Sequence, residues 1–210
     1  MANQETSSER RSRLLPILTK AFIDLGYRRA TTAELAKRCG LRENELYRIW
    51  KNKKAMFIDA VQQVYDNTMK DWSKLADAED SSSMAERVLA HQASNHGRMR
   101  FYRIVFAGLQ ETDDVEIRAA LRDLYRKFHK SVVEMLVQHH AGSNPDNAQD
   151  TQEEVESRAE SAAWALIGLG AIVDIDRSVK LTSADRRQEL IETIGKTLLK
   201  FPASTTASTL

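Results

Sequence analysis

Glycine, proline and cysteine are scarce in this chain, at eight, three and one of 210 residues. The shortage of turn-forming residues, together with long runs of Ala, Leu, Glu, Arg, Lys and Gln at a helical apolar period, leaves no convincing alternating strand. The single cysteine excludes an internal disulfide, which agrees with a reducing compartment. These absences predict an all-α protein.

Long apolar runs and catalytic motifs are also missing. No stretch approaches the roughly 18 to 20 apolar residues of a membrane span, and residues 1–13 lack the apolar core of a secretion signal. We therefore expect a cytoplasmic protein with no membrane partner. The sequence has no phosphate-binding glycine loop, nucleophile elbow or Cys/His pair with a local signature, so we expect neither an enzyme nor a cofactor.

The histidines do not form a metal motif. His139 and His140 are adjacent and would point about 100° apart on a helix, while His91 and His96 lack a cysteine or carboxylate ligand at zinc spacing. We expect no metal site. Cys39 is predicted to be a small buried filler behind a turn.

Residues 32–57, TAELAKRCGLRENELYRIWKNKKAMF, have the spacing of a helix-turn-helix. Ala36 is small where the second helix must approach closely. Gly40 falls just past the first helix, where the chain commonly turns through a left-handed conformation that favours glycine. Thr32 is predicted to cap that first helix. The apolar contact between the two helices is expected from Leu35, Leu41 and Leu46.

The same segment resembles the TetR family of bacterial transcriptional regulators. The resemblance covers about a quarter of the chain and is carried by Thr32, Leu35, Ala36, Cys39, Gly40, Leu41, Leu46, Tyr47, Trp50 and Lys53. It implies an N-terminal three-helix DNA-binding domain and a larger helical bundle for ligand binding and dimerisation, about nine helices in total. It also implies that Tyr47 and Lys53 contact phosphates and that the recognition helix begins near Arg42.

Two features depart from the family pattern. Arg42 stands where a Ser or Thr cap is usual, and Glu43 and Glu45 place two acids in the first turn of the recognition helix. Carboxylates there suit the helix dipole but repel phosphate. They keep an alternative open, namely a helical interaction or scaffold module whose DNA binding is non-specific or lost.

The charge distribution independently favours DNA as a partner. Residues 10–57 contain thirteen Lys or Arg and four Asp or Glu, a net charge of +9, so the remaining residues must carry −8 to give the formal +1. A basic segment on an acidic body is typical of nucleic-acid binding. The alternative is a basic surface that is merely solvated.

The predicted DNA-binding residues divide by the part of the duplex that each side chain suits. We expect Arg42, Asn44 and Arg48 to contact base edges. Side chains expected at the DNA backbone are Tyr47, Lys51 and Lys53. Thr32 and Glu43 complete the predicted set.

The predicted domains are a helix-turn-helix domain over residues 1–56 and a regulatory and dimerisation domain over residues 57–201. Residues 1–11 are expected to be a mobile arm and residues 202–210 a flexible tail. The first helix should begin near Ser12 or Pro16, and Asn52 should cap a long fourth helix. The arginines at the entrance have two equal interpretations, an arm that reaches DNA or a disordered basic tail: Arg10, Arg11 and Arg13.

The last two helices, at about 153–177 and 183–201, are the predicted dimer interface. Besides a face that can serve the protein's own core, the first has a second apolar face of one large and several small residues. The alternative places all these residues in the intramolecular core. The predicted interface residues are Trp164, Ile167, Gly168, Ala171, Ile175, Leu190, Ile194 and Leu198.

A small-molecule effector is implied by the resemblance. An effector pocket in a helical body is lined mainly by aromatic and aliphatic side chains with a few polar groups, although aromatics at helical spacing are more often ordinary core. The candidates are Trp72, Phe101, Tyr102, Phe106, Tyr125, Phe128 and His129. The sequence together with this resemblance predicts a homodimeric repressor that binds a palindromic operator in double-stranded DNA, and the resemblance implies that an effector releases it.

Overall fold

The computed structural model describes residues 6–76, 81–95, 101–143 and 151–200, without the side chains of Phe101 and Ser143. These ranges contain nine α-helices and no strand, as the all-α prediction requires. None of these helices is long and apolar enough to cross a membrane. The helices are α1 Ser7–Arg29, α2 Thr32–Arg38, α3 Glu43–Tyr47, α4 Lys53–Ala76, α5 Met84–Ser94, α6 Phe101–Leu109, α7 Val115–Ser143, α8 Gln152–Val179 and α9 Ala184–Leu199.

The start of α1 corrects the sequence prediction. The helix begins at Ser7, and Thr6 caps it by accepting a hydrogen bond from the Glu9 amide at 3.2 Å while Glu9 bonds back to the Thr6 amide at 2.8 Å. This reciprocal capping box outweighs the preference of Pro16 for a first turn, so Pro16 lies inside the helix. The described part of the predicted mobile arm, residues 6–11, is therefore the cap and first turn of α1, and residues 1–5 lie outside the described residues.

Two glycines set the chain direction around α2. Gly26 has φ +75° and interrupts the regular helix of α1, although the assigned range continues to Arg29. Gly40 has φ +67°, as predicted for the turn after α2. An L-residue with a Cβ is disfavoured at such angles, so each glycine fixes a change of direction that the neighbouring helices need.

The described residues form two compact units, one from Met1–Asp71 with Met99–Arg126 and the other from Trp72–Arg98 with Lys127–Leu210. The division does not coincide with the predicted domains, because α6 and the start of α7 belong with the N-terminal helices. Whether residues 1–56 fold as a separate domain stays a prediction. The predicted tail at 202–210 lies outside the described residues.

The first unit is built on aromatic packing between α1 and α4. Phe22 and Phe57 are fully buried with ring centroids 5.1 Å apart and nearly perpendicular, and Tyr27 lies 5.0 Å from Phe57. In α6, a Cβ added at Gly108 would lie 3.0 Å from the Leu121 side chain and 3.2 Å from the Phe57 ring. Glycine therefore permits the close approach of α6 to this cluster.

The second unit has its core where α5 and α8 pack against α9. Ala93, Val173 and Ile191 are buried, with Leu89 and Leu169 packed against them. A Cβ at Gly195 would meet Leu89 at 2.2 Å, so α5 and α9 approach closely at that glycine. This core supports the exposed side of α8.

Replacement of Gly40 by Ala tests the left-handed turn. No atom lies within 4 Å of the added Cβ, so the cost is conformational, and we expect the free energy of unfolding to fall by about 1–2 kcal/mol in urea titrations. Gly142→Ala is the matched control, because Gly142 is helical, exposed and equally uncrowded. That variant should be unchanged or more stable by up to about 1 kcal/mol. Equal effects of the two substitutions would contradict the role given to Gly40.

Candidate nucleic-acid interface

A short turn fixes α3 against α2. The Gly40 amide donates to the Lys37 carbonyl at 3.1 Å, and the Leu41 amide donates to the Ala36 carbonyl at 2.9 Å. Leu35 and Leu46 are fully buried between the helices. This is the helix-turn-helix geometry that the spacing predicts, with α3 in the position of the recognition helix.

The segment after α3 is held by a buried tryptophan. Trp50 is 2 % exposed, and its indole N–H donates to an oxygen of Asp59 in α4 at 2.6 Å. Arg11 donates to the same carboxylate oxygen at 2.6 Å and lies over the Trp50 ring at 5.8 Å. The C-terminal end of α3 is thus connected to both α1 and α4.

The remaining surface of α3 faces solvent. Tyr47 is a large aromatic residue that is nevertheless 46 % exposed. Lys53 and Thr32 are half-buried. The exposed members of the predicted DNA-binding set are Arg42, Glu43, Asn44, Tyr47, Arg48 and Lys51.

Both acids of the recognition helix are hydrogen-bonded within the protein. The Thr32 hydroxyl donates to Glu43 at 2.6 Å, and the Arg42 amide donates to Glu45 at 2.9 Å.

The predicted cap of α2 is wrong by one residue. Thr31 caps the helix by accepting from the Glu34 amide at 3.2 Å, which leaves the Thr32 side chain for Glu43.

Lys53 begins α4 and lies against Tyr27. Its ammonium donates to the Tyr27 carbonyl at 3.1 Å and lies 4.3 Å from the centre of the Tyr27 ring. Burial lowers the pKa of Lys53, while the charge of Glu111 raises it. The predicted Asn52 cap of α4 is confirmed by a 2.8 Å bond from the Ala55 amide. Phosphate contact by Lys53 stays a prediction. Because one ammonium proton is donated to the Tyr27 carbonyl, two protons remain for hydrogen bonds to phosphate.

Several cations of the basic N-terminal segment are neutralised by acids that lie outside residues 10–57. Lys54 pairs with Asp114 at 2.9 Å and Glu116 at 2.6 Å, Arg28 pairs with Glu111 at 2.6 Å, and Arg11 pairs with Asp59. Hydrogen bonds to Glu116 and Asp114 raise the pKa of Lys54, and the bond from Lys54 lowers the pKa of Asp114. Sequence reasoning missed these pairs, since up to 83 positions separate the partners.

The cations without an ion pair are concentrated around α3. In the described part of residues 10–57, Lys20 also pairs with Asp24, and Arg38 pairs with both Asp24 and Glu34. Arg10 and Arg13 make other interactions. Apart from Arg29 at the end of α1, the remaining exposed cations, for which the structure gives no ion pair, are Lys37, Arg42, Arg48 and Lys51. The positive charge that remains for a ligand therefore surrounds the recognition helix.

The predicted dimer residues divide by exposure. Trp164 is 61 % exposed, Ile175 45 % and Ile194 40 %, whereas Ile167 is only 5 % exposed and belongs to the chain's own core. Assigning Ile167 to the second face was wrong because it faces inward, as Ala163 does one turn earlier. Gly168 is exposed, and Ala171, Leu190 and Leu198 are half-buried. Sequence reasoning missed two exposed residues on α8, Ile172 and Val179.

The predicted effector residues fall into both units. In the second unit, Trp72 is 6 % exposed with its ring 5.3 Å from that of Phe128, and the His129 ring lies 5.0 Å from that of Trp164 at an interplanar angle of 41°. In the first unit, the rings of Tyr102 and Phe106 are 6.3 Å apart, and burial raises the pKa of Tyr125. The Phe101 side chain lies outside the described residues.

Comparisons with known proteins agree with this geometry. Residues 19–60 match the family model of bacterial regulatory proteins of the tetR family. No curated protein matches the chain significantly. The TetR-family transcriptional regulator of Cytophaga hutchinsonii shares the fold with a TM-score of 0.71 at 15 % identity, over 96 % of this chain and 99 % of that one.

Two further solved structures share the fold at similar identity. The TetR-family regulator PfmR of Thermus thermophilus gives a TM-score of 0.60 at 16 % identity, over 90 % of this chain and 97 % of that one. A protein of Saccharomonospora viridis, solved in complex with choline, gives 0.69 at 16 % identity, over 90 % and 96 %. The chain therefore shares the fold of these solved transcriptional regulators, and its helix-turn-helix has a recognition helix flanked by Arg42 and Arg48. The likeness to the TetR family in sequence lies in residues 19–60, the segment that contains the helix-turn-helix.

Replacement of Lys51 by Ala tests the assignment of exposed cations to DNA. If Lys51 contacts one phosphate, the slope of log affinity against log salt should flatten by about 0.9. Lys20→Ala is the control, because Lys20 is also exposed but pairs with Asp24. Fluorescence anisotropy with duplex DNA across a salt series measures both slopes. An equal change in both variants would indicate a general charge effect and contradict a specific contact.

Proposed function

We propose that this protein is a transcriptional repressor that binds a palindromic operator as a homodimer and is released by a small-molecule effector. The observation that carries the proposal is the concentration of exposed, unpaired cations around an exposed recognition helix. Phosphate binding gains affinity by releasing counterions from DNA. The surface around α3 has the charge and shape for that role, and the rest of the N-terminal basic charge is largely used in internal ion pairs.

Base reading is assigned to exposed polar residues at the two ends of α3, Arg42 and Asn44 at its start and Arg48 at its end. Arg42 and Arg48 suit guanine, which presents two acceptors in the major groove, and Asn44 suits adenine, which presents one acceptor and one donor. Tyr47, Lys51 and Lys53 are assigned to phosphates, which set position without reading sequence. A repressor of this type acts by occluding promoter DNA, so it needs no activation surface.

Dimerisation is supported by an apolar stripe along α8. Trp164, Ile172, Ile175 and Val179 are each between 45 % and 66 % exposed, and Ile194 of α9 is 40 % exposed. A continuous exposed apolar surface usually marks an interaction site, and a helical face can pair with its own copy about a two-fold axis. Two recognition helices related by that axis would read half-sites about 34 Å apart, or a multiple of that distance.

Effector binding is supported by buried polar atoms in the second unit. The indole nitrogen of Trp72 and Nε2 of His129 are buried and have no hydrogen-bond partner among the described residues. Buried polar atoms are nearly always bonded, so these two are candidates to meet a polar group of a ligand. The related fold of the S. viridis protein was solved with a small organic molecule, choline. An effector that favours a state with poor operator fit would lower DNA affinity by its differential affinity for the two states.

Selection from random duplex DNA at low and moderate salt tests the proposed function. A palindromic motif that persists at the higher salt is expected, because base contacts depend less on salt than phosphate contacts do. Enrichment of no motif, with binding lost as salt rises, would instead favour the alternative of a helical interaction or scaffold module. Arg42→Ala provides the internal control and should relax one position of each half-site.

Replacement of Trp164 by Arg tests the dimer face. A buried unpaired charge at the centre of an interface should shift the protein to monomers at micromolar concentration in light scattering. Val115→Arg is the matched control, because Val115 is 65 % exposed but lies on α7. The control should keep the wild-type mass. A Trp164→Arg protein that also keeps that mass would rule out this interface.

A further inference from the structure

Glu43 occupies the position on α3 where base contacts are most expected. It is the first residue of the recognition helix, it is exposed, and it lies between the exposed residues Arg42 and Asn44. Helix-turn-helix proteins contact base edges mainly through the N-terminal residues of this helix. An acid here would be repelled by phosphate, so its presence requires a compensating contact.

No cation in the described part of the protein provides that contact. Asp24, Glu34 and Asp59 each pair with a Lys or Arg, and Glu45 accepts from the backbone amide of Arg42. Glu43 accepts a hydrogen bond from the Thr32 hydroxyl, and the structure gives it no Lys or Arg within ion-pair distance in the described ranges. Its charge is therefore not neutralised by an ion pair among the described residues, although the exposed Arg42 directly precedes it.

Thr32 orients the carboxylate. Its hydroxyl donates at 2.6 Å to one oxygen of Glu43, and the 11 positions between the residues mean that the bond joins the start of α2 to the start of α3. A charge-assisted bond of this length restricts side-chain rotation. The second carboxylate oxygen has no hydrogen-bond donor in the described residues, and it can accept one from DNA.

The chemistry of the carboxylate selects the base. An ionised carboxylate only accepts hydrogen bonds. In the major groove, guanine presents two acceptors and thymine an acceptor and a methyl group, so neither can donate to it. Adenine presents its N6 amino donor beside the N7 acceptor, which repels a carboxylate, whereas cytosine presents only its N4 amino donor. From the geometry we infer that Glu43 is a specificity-determining residue that reads the N4 amino group of a cytosine in each half-site.

This inference rests on the proposed function and is tested by a predicted change of base. Glu43→Gln replaces an acceptor by an amide that both accepts and donates, the pairing that adenine N6 and N7 favour. Selection from random duplexes should therefore change cytosine to adenine at one position of each half-site and leave the other positions unchanged. Glu45→Gln removes the same charge two residues later and keeps an oxygen for the Arg42 amide, so it should enrich the wild-type motif.

The outcomes separate this inference from the proposed function. A palindromic motif that is identical for wild type and Glu43→Gln would overturn the role of Glu43 and leave the regulator assignment intact. If wild type, Glu43→Gln and Glu45→Gln all enrich no motif, both the role of Glu43 and the proposed function are contradicted. Circular dichroism checks that the variants fold.

The wild-type protein provides a second measurement that does not depend on any variant. With the selected operator, replacement of the assigned cytosine by thymine in both half-sites should weaken binding by at least about fivefold per half-site, because an amino donor becomes an acceptor. If no cytosine of the operator has this effect, Glu43 does not read cytosine.

Discussion

A recognition helix of five residues cannot be stable by itself, because helix formation has a costly nucleation step and becomes favourable only over longer segments. In this protein α3 is stabilised because its own Leu46 is buried and Trp50, three residues after its end, is buried as well. The Trp50 indole donates to Asp59 in α4, and Arg11 in α1 donates to the same oxygen. A bond to a charged group contributes roughly 1.5–3 kcal/mol, and removing one partner of a buried pair costs more. The exposure of Arg42, Glu43 and Asn44 on the outer side of α3 therefore depends on contacts made by its inner side.

Electrostatics in the first unit divides the basic residues into two groups. Arg11, Arg28 and Lys54 are paired with acids distant in sequence, and they connect helices of the unit. Lys37, Arg42, Arg48 and Lys51 are exposed and have no such pair in the described ranges. The segment charge of +9 therefore overstates what faces a ligand. The location of the positive charge is more informative than the net charge of the segment, because affinity for DNA depends on the cations that can reach phosphates.

Much of the fold could be predicted because it depends on local periodicity and turn chemistry. The buried faces of α4 and α7 follow the apolar spacing of residues such as Phe57, Val61, Leu121 and Leu124. Gly40 adopts the left-handed conformation that its position after α2 requires. Errors arose where two local signals competed. Thr6 with Glu9 determined the start of α1 against the signal of Pro16, and Thr31 capped α2 in place of its neighbour Thr32.

The sequence by itself determined the helix-turn-helix, the helical class and the identity of the side chains on α3, since these follow from spacing within a few turns of helix. Only the tertiary structure decided which charges are neutralised, because Arg28 and Glu111 are 83 positions apart and no local pattern relates them. The tertiary structure also decided that Ile167 faces inward while Trp164 and Ile175 face solvent. Apolar residues lie around most of the circumference of α8, so its packing against α9 determines which side is buried. The hydrogen bond between Thr32 and Glu43 was likewise decided only by the tertiary structure, because it depends on how the turn at Gly40 brings the starts of α2 and α3 together.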